Sequence, residues 1–339
     1  MRFAFLQQWL RSQATTDRSP ALAIPRPEFT GPTALTDHLQ HTLRNRISCT
    51  GIGLHSGAKV SLTLHPADAD TGIVFVRGDL DGERAIVPAT WRHVVDTMLC
   101  TTIGNDDGVR VATIEHLMAA LHGCGIDNAI VEVSGAEVPI MDGSAAPFVF
   151  LIECAGLAVQ DQPRRVLRIR RKVEVQTGAG RASLAPAKDF SLGFEIEYNN
   201  KLIARQRLNV RPLDIFKTEI CRARTYGFEH EVEALRARGL ARGGSLDNAV
   251  VVSGDTVLNK DGLRYRDEFV RHKVLDAMGD LYLAGGLIRG HFEGQRAGHG
   301  LNNQLLRALF ADPSAWVWED AGEAAPRRAS WEQALAATA

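Results

Sequence analysis

Residues 267–286 read DEFVRHKVLDAMGDLYLAGG, and the pattern in this stretch decides the fold. Val270, Val274, Ala277, Met278 and Leu281 fall on one side of a helix closed by Gly285 and Gly286, while His272, Asp276 and Asp280 recur at i, i+4 and i+8 on the other. A strand, LIRGHFEG (287–294), and a further helix, AGHGLNNQLLRALF (297–310), come next. The same succession stands earlier in the chain. There the helix TIEHLMAALHGCG (113–125) ends at glycine, the strand NAIVEVSG (128–135) follows, and MDGSAAPFVFLIECAGL (141–157) makes a second helix opened by Asp142, Gly143 and Ser144. Alternating strands such as TGIVFVRG (71–78), RVLRIRRKVEV (165–175) and FSLGFEIEY (190–198) supply the sheets.

An order of elements that occurs twice predicts an α+β fold of two similar domains, each a β-sheet layered against a helix pair, with the active site at the domain interface. AVQDQPRRV interrupts the apolar pattern near Gln160 to Arg165, dividing a first domain, 41–163, from a second, 164–312, and leaving 313–339 as a C-terminal tail. Residues 1–40 carry Pro20, Pro25, Pro27 and Pro32 among Ser, Thr and Ala, a composition that predicts a disordered N-terminal extension.

The composition excludes several classes of partner. Lys and Arg number 39 against 40 Asp and Glu, so no global field recruits nucleic acid or an anionic membrane. No apolar run approaches the roughly 20 residues needed to span a bilayer. Five cysteines, odd in number and without a C-x-x-C pair, suit a reduced cytoplasm. A monomer acting on a small molecule is expected.

Glu115 and His116 are neighbours on a helix and so point to adjacent sectors, close enough to address one metal ion and its water. The plainer alternative is a histidine beside a solvated glutamate. His272 and Asp276, one helical turn apart, form a chelating pair, although a polar stripe is also what any amphipathic surface helix shows. Adding His116 gives two imidazoles and a carboxylate, the three-ligand set that leaves a catalytic Zn2+ an open position. His299 lies between Gly298 and Gly300 at the start of the last long helix, where a ligand can approach closely; helix capping is its alternative reading. Thr225 offers a hydroxyl donor, and Val232 and Leu235 form an apolar face on the next helix.

GIGLHSG (51–57), DTMLCTTIG (96–104), TIEHLMAAL (113–121), PIMDGSAAPF (139–148), ARTYGF (223–228), DEFVRHKVLDAMGDLYL (267–283) and GHGLNN (298–303) together resemble the UDP-3-O-acyl-N-acetylglucosamine deacetylases of lipid A biosynthesis. The resemblance runs in the family's order from about His41 to Phe310. It implies a zinc ion on His116, His272 and Asp276, with Glu115 as general base. It implies that His299 is a second catalytic residue held protonated by Asp280, and that the Thr225 hydroxyl helps hold the oxyanion. Lys273 matches a lysine near the nucleotide-sugar phosphates, Tyr198 the aromatic that stacks on uracil, and Leu54 and His55 of GIGLHSG substrate contacts. FEHEVEALRARGLARGGSLDNAVVV (228–252) is similar to the family's βαβ insert, which places Val232 in a passage for the acyl chain. Tyr226 stands where a phenylalanine is common, and Arg242 falls in the passage segment. Two other classes are weighed: a zinc phosphoesterase, whose two-metal forms need several more carboxylates, and an inactive sugar-nucleotide binding protein, which would lack Glu115 or a ligand.

Overall fold

The computed structural model describes residues 38–322, so the expected disorder of the first residues and the end of the tail lie outside the described residues. In the first half, β1 (Ile47–Ile52), β2 (Lys59–Pro66), β3 (Ile73–Arg77) and β4 (Ile86–Pro88) precede a small meander of three short strands between Val94 and Val111. Helix α1 (Glu115–Gly123), strand β5 (Ala129–Val133) and helix α2 (Ala146–Ala155) follow. In the second half, β6 (Val173–Thr177), β7 (Gly180–Ala185), β8 (Ser191–Glu197) and β9 (Arg205–Val210) precede a unit built of β10 (Tyr226–Phe228), α3 (Glu229–Ala237) and β11 (Val250–Ser253). Helix α4 (Glu268–Tyr282), strand β12 (His291–Gln295) and helix α5 (His299–Ala311) complete it.

The sheets repeat one another strand for strand. The first is ordered β1-β2-β5-β3-β4 and the second β6-β7-β12-β8-β9, and in each only the pairing of the late strand with the third is parallel. Both inserted units fall at the same point, between the fourth strand and the first helix of the repeat. The chain is thus α+β, with two similar sheet-and-helix layers. Helix α4 packs on β8 and β9, α5 on β6 and β7, and α2 on β1, while α1 lies against α4. One apolar core runs through the stack, from Leu62 and Phe75 of the first sheet through Leu117, Leu121, Leu275 and Met278 to Phe194 and Phe292 of the second. The absence of water from this continuous core drives the association of the two layers.

Three sequence expectations change. RVLRIRRKVEV is two strands, Arg165–Ile169 and β6, because three exposed cations, Arg170 to Lys172, separate them. LIRGHFEG breaks likewise at Gly290. Its first part, Leu287–Arg289, joins Arg165–Ile169 in a three-stranded sheet with Trp316–Asp320, which lies within the expected tail. AVQDQPRRV, read as the break between domains, holds a strand, Leu157–Pro163, paired antiparallel with Leu39–Leu43. Asp161 and Gln162 are exposed while Gln160 turns inward onto Asn128 and the Ala67 carbonyl, and a two-stranded ribbon needs no apolar alternation to satisfy its backbone. No helix among the described residues is long and apolar enough to cross a membrane.

Candidate metal centre

The site forms where α1 crosses α4. Gly279 permits the crossing: a Cβ there would lie 2.0 Å from the carbonyl oxygen of Glu115. The close approach brings His116, in the first turn of α1, onto the polar stripe of α4. His116, His272 and Asp276 offer ligand atoms that all lie within 4.8 Å of one another. All three are buried, so the stripe is not the solvated face of a surface helix. The Nε2 atoms of His116 and His272 stand 3.6 and 3.3 Å from Asp276 Oδ1. That oxygen is itself buried and accepts no hydrogen bond.

The chemistry of this donor set fits a divalent cation. Nδ1 of His272 lies 3.1 Å from the Ala223 carbonyl and donates to it, leaving the Nε2 lone pair free to face Asp276. Burial, with His116 and Lys273 nearby, pushes the His272 pKa down to about 3 against the pull of Asp276, so the imidazole is neutral. Burial opposes the charge of Asp276 too, yet the adjacent Lys273 ammonium outweighs it and holds the carboxyl well below the usual range. Lys273 Nζ donates to Asp276 Oδ2 at 2.8 Å. An ionised oxygen without a donor, opposite two imidazole Nε2 atoms, is an arrangement that a cation would complete.

Glu115 and His299 flank the donor set. Glu115 Oε2 accepts the Thr101 N–H at 3.0 Å, and Oε1 lies 3.9 Å from His299 Nε2. Burial pushes the Glu115 carboxyl above its ordinary range, the histidines only partly offsetting it. His299 Nδ1 donates to Asp280 Oδ2 at 2.8 Å. Burial disfavours its charge, but Asp280, and then Glu115 and Asp276, raise its pKa to about 9.

Residues 40–311 match the sequence model of the UDP-3-O-acyl N-acetylglycosamine deacetylase family. The chain belongs to this family. It is 52% identical to the UDP-3-O-acyl-N-acetylglucosamine deacetylase of Hahella chejuensis over 84% of this chain and 96% of that one. It is 52% identical to the Xanthomonas oryzae pv. oryzae (strain PXO99A) deacetylase, over 82% and 92% of the two chains, and 53% identical to that of Teredinibacter turnerae, over 85% and 96%.

The other expected site residues lie on the second half and on one loop of the first. Thr225 is clamped by its backbone, its N–H on the Gly143 carbonyl and its own carbonyl accepting from Val250, both at 2.8 Å. Gly143 has φ +83°, and a Cβ there would meet the Asn248 carbonyl oxygen at 2.0 Å. Arg224, next to Thr225, forks onto Glu268 at 2.8 and 3.1 Å, tying this segment to the start of α4. The hydroxyl of Tyr198 lies 3.0 Å from that of Tyr226, and its ring packs edge-on to Tyr226 and Phe228. Tyr226 also carries the Lys273 ammonium over its face, 5.7 Å from the centroid. The βαβ insert is present as β10–α3–β11 with parallel strands, and Val232 is half-buried on α3. Leu54 and His55 are held against its far loop, the Leu54 carbonyl accepting from Gly243 and the His55 carbonyl from Arg242.

Sequence reasoning missed the residues that hold this apparatus. Thr101 and Asn302 both donate to Asp280, and Glu137, buried, accepts from the His55 and Ser56 N–H groups and from the Thr113 hydroxyl. Thr113 itself has φ +59°, a strained conformation for a β-branched residue, two positions before Glu115. Asn302 alone carried a legible signal, lying on the same face as His299 within GHGLNN.

Proposed function

We propose that the chain hydrolyses the N-acetyl amide of UDP-3-O-(3-hydroxyacyl)-N-acetylglucosamine, releasing acetate and the free amine in lipid A biosynthesis. The observation that carries this reading is the unpartnered Asp276 Oδ1 facing two imidazole nitrogens, with Glu115 and His299 beside it. His116, His272 and Asp276 would hold a zinc ion. When bound, it supplies Lewis acidity, which polarises the amide carbonyl and acidifies the attacking water.

The residues of the chain divide the remaining work. Glu115, its Oε2 held by Thr101, takes the proton of the attacking water through Oε1, and the upward push of burial on its pKa makes it a stronger base than an exposed glutamate. His299, with Nδ1–H fixed on Asp280, points Nε2–H toward the same space. As a cation it stabilises the oxyanion and delivers a proton to the departing amine. Thr225 adds a neutral donor to that oxyanion from a backbone that cannot drift. Lys273 uses donors not engaged by Asp276 to hold the nucleotide phosphates, Tyr198 faces the uracil, Leu54 and His55 border the sugar, and Val232 lines the acyl passage. The five free cysteines suit action in the cytoplasm, and we take the monomer as the working unit.

Metal analysis of the purified protein, combined with acetate release from UDP-3-O-acyl-N-acetylglucosamine, tests the reading. One zinc per chain is expected, lost together with activity in His116→Ala, His272→Ala and Asp276→Ala. Phosphate release, or substrate binding without turnover, would replace it with the phosphoesterase or the inactive binding protein.

A further inference from the structure

We infer that Thr101 is a positioning residue that sets the base and the cationic histidine in register, a role that rests on the reading of Glu115 and His299 above. Thr101 is 2% exposed and contributes no atom to the donor set. Its three polar groups nevertheless all go to the reaction centre and its supports. The N–H donates to Glu115 Oε2 at 3.0 Å. The hydroxyl donates to Asp280 Oδ1 at 2.5 Å. The carbonyl accepts the N–H of Ile114, the residue that precedes Glu115, at 3.3 Å.

The geometry makes Thr101 a brace between the two halves of the molecule. Glu115 opens α1 in the first repeat, and Asp280 lies on α4 in the second, yet one residue fixes both carboxylates. Asp280 has four lone-pair directions and three neutral or charged donors: Thr101 on Oδ1, and His299 and Asn302 on Oδ2. With Oδ1 held, the carboxylate plane cannot turn, and Oδ2 stays aimed at His299 Nδ1. Without the hydroxyl, Oδ1 becomes a buried anionic oxygen lacking a donor, and the carboxylate rotates to recover one. His299 then loses its orientation, although every residue named in the mechanism remains. The backbone N–H on Glu115 survives any side-chain change, so the effect of a substitution is confined to the Asp280–His299 arm.

The test compares Thr101→Val, which keeps shape and removes the hydroxyl, with Thr101→Ser, which keeps the hydroxyl and removes the methyl. Steady-state acetate release from UDP-3-O-acyl-N-acetylglucosamine by the zinc-loaded protein should show kcat reduced between 10- and 100-fold for Val, as a misplaced catalytic group gives. KM should stay within about threefold, since no substrate contact changes, and Ser should restore kcat to within about fivefold of the parent. The low-field proton resonance of the His299 Nδ1–H should move in the Val protein and return in the Ser protein, a signature that loss of packing alone does not produce. Should the Val protein fail to fold, Thr101→Ala against Thr101→Ser poses the same question. Equal losses in Ser and in the hydroxyl-free variant, or parental kcat in a folded Val protein, overturn the inference. His299→Ala belongs in the same series: if it is fully active, the reading of the histidine has failed, whereas an inactive His299→Ala beside a fully active Thr101→Val defeats only the role of Thr101.

Discussion

Gly279→Ala adds a single methyl group against the backbone of the facing helix, touching no catalytic side chain, and it should disable the enzyme. The new Cβ would sit 2.0 Å from the Glu115 carbonyl oxygen, 2.9 Å from its carbonyl carbon and 3.1 Å from the Ala119 nitrogen. All three are helix backbone, which cannot swing aside as a flexible side chain could. Ordinary contact begins near 3.4 Å, so α1 and α4 must part by about 1.4 Å at the crossing. Metal ligands tolerate errors of only about 0.2 Å, and His116 rides on one helix while His272 and Asp276 ride on the other. The same separation carries Glu115 away from His299. Overpacking of this kind costs about 1–3 kcal/mol of stability, and misplacement of about 1 Å costs on the order of 10²-fold in turnover. Calorimetric zinc titration of the metal-free protein, thermal unfolding and acetate release measure the three effects. Gly135→Ala is the control, since its methyl meets only Val60 Cγ2 at 3.5 Å. A Gly279→Ala protein with parental zinc affinity and turnover would show that the crossing does not set the site.

Glu115→Ala should keep its zinc by metal analysis while kcat falls by roughly 10²–10⁴, the usual contribution of a positioned base. The pH profile of kcat/KM should be a bell. Its acid limb lies above the pH expected of an exposed glutamate, because burial raises the Glu115 pKa and the base must be deprotonated. Its alkaline limb reports His299, whose pKa is raised to about 9 chiefly against burial and by Asp280, so activity falls as the imidazolium loses its proton. Asp280→Asn should move that limb to lower pH, and an unmoved limb would assign it to another group. In the metal-free protein the same raised pKa contributes stability that is full below the reference value of 6.5 and lost as pH rises toward 9, measurable as a falling denaturant midpoint. A charged residue in place of Val232 should raise KM for long-chain substrates more than for a short-chain analogue; equal losses would point to misfolding.

The repeat of elements and the three candidate ligands were legible because helices convert spacing into direction: residues four apart share a face whatever surrounds them. His272 and Asp276 needed only that rule, and His116 needed a partner of the right chemistry on a matching helix. Thr101, Glu137 and the Ala223 carbonyl were not legible, since each acts from a loop or a strand end and reaches a residue more than forty positions away, Asp280, His55 and His272 respectively. Strand ends failed for a related reason. Gly290 and the cations Arg170 to Lys172 divide continuous-looking runs between two sheets, and no local periodicity records which sheet a strand will join.

The two repeats share the donor set unequally, with one ligand before residue 130 and two after residue 270. Contacts so distant in the chain are among the slowest for a polypeptide to make, because loop closure must precede any gain. Each five-stranded sheet can assemble on its own early contacts, but the donor set cannot exist until both sheets are built and α1 has settled onto α4. Metal uptake by the refolding chain therefore marks the end of the folding reaction, and its rate reads out the docking of the two halves.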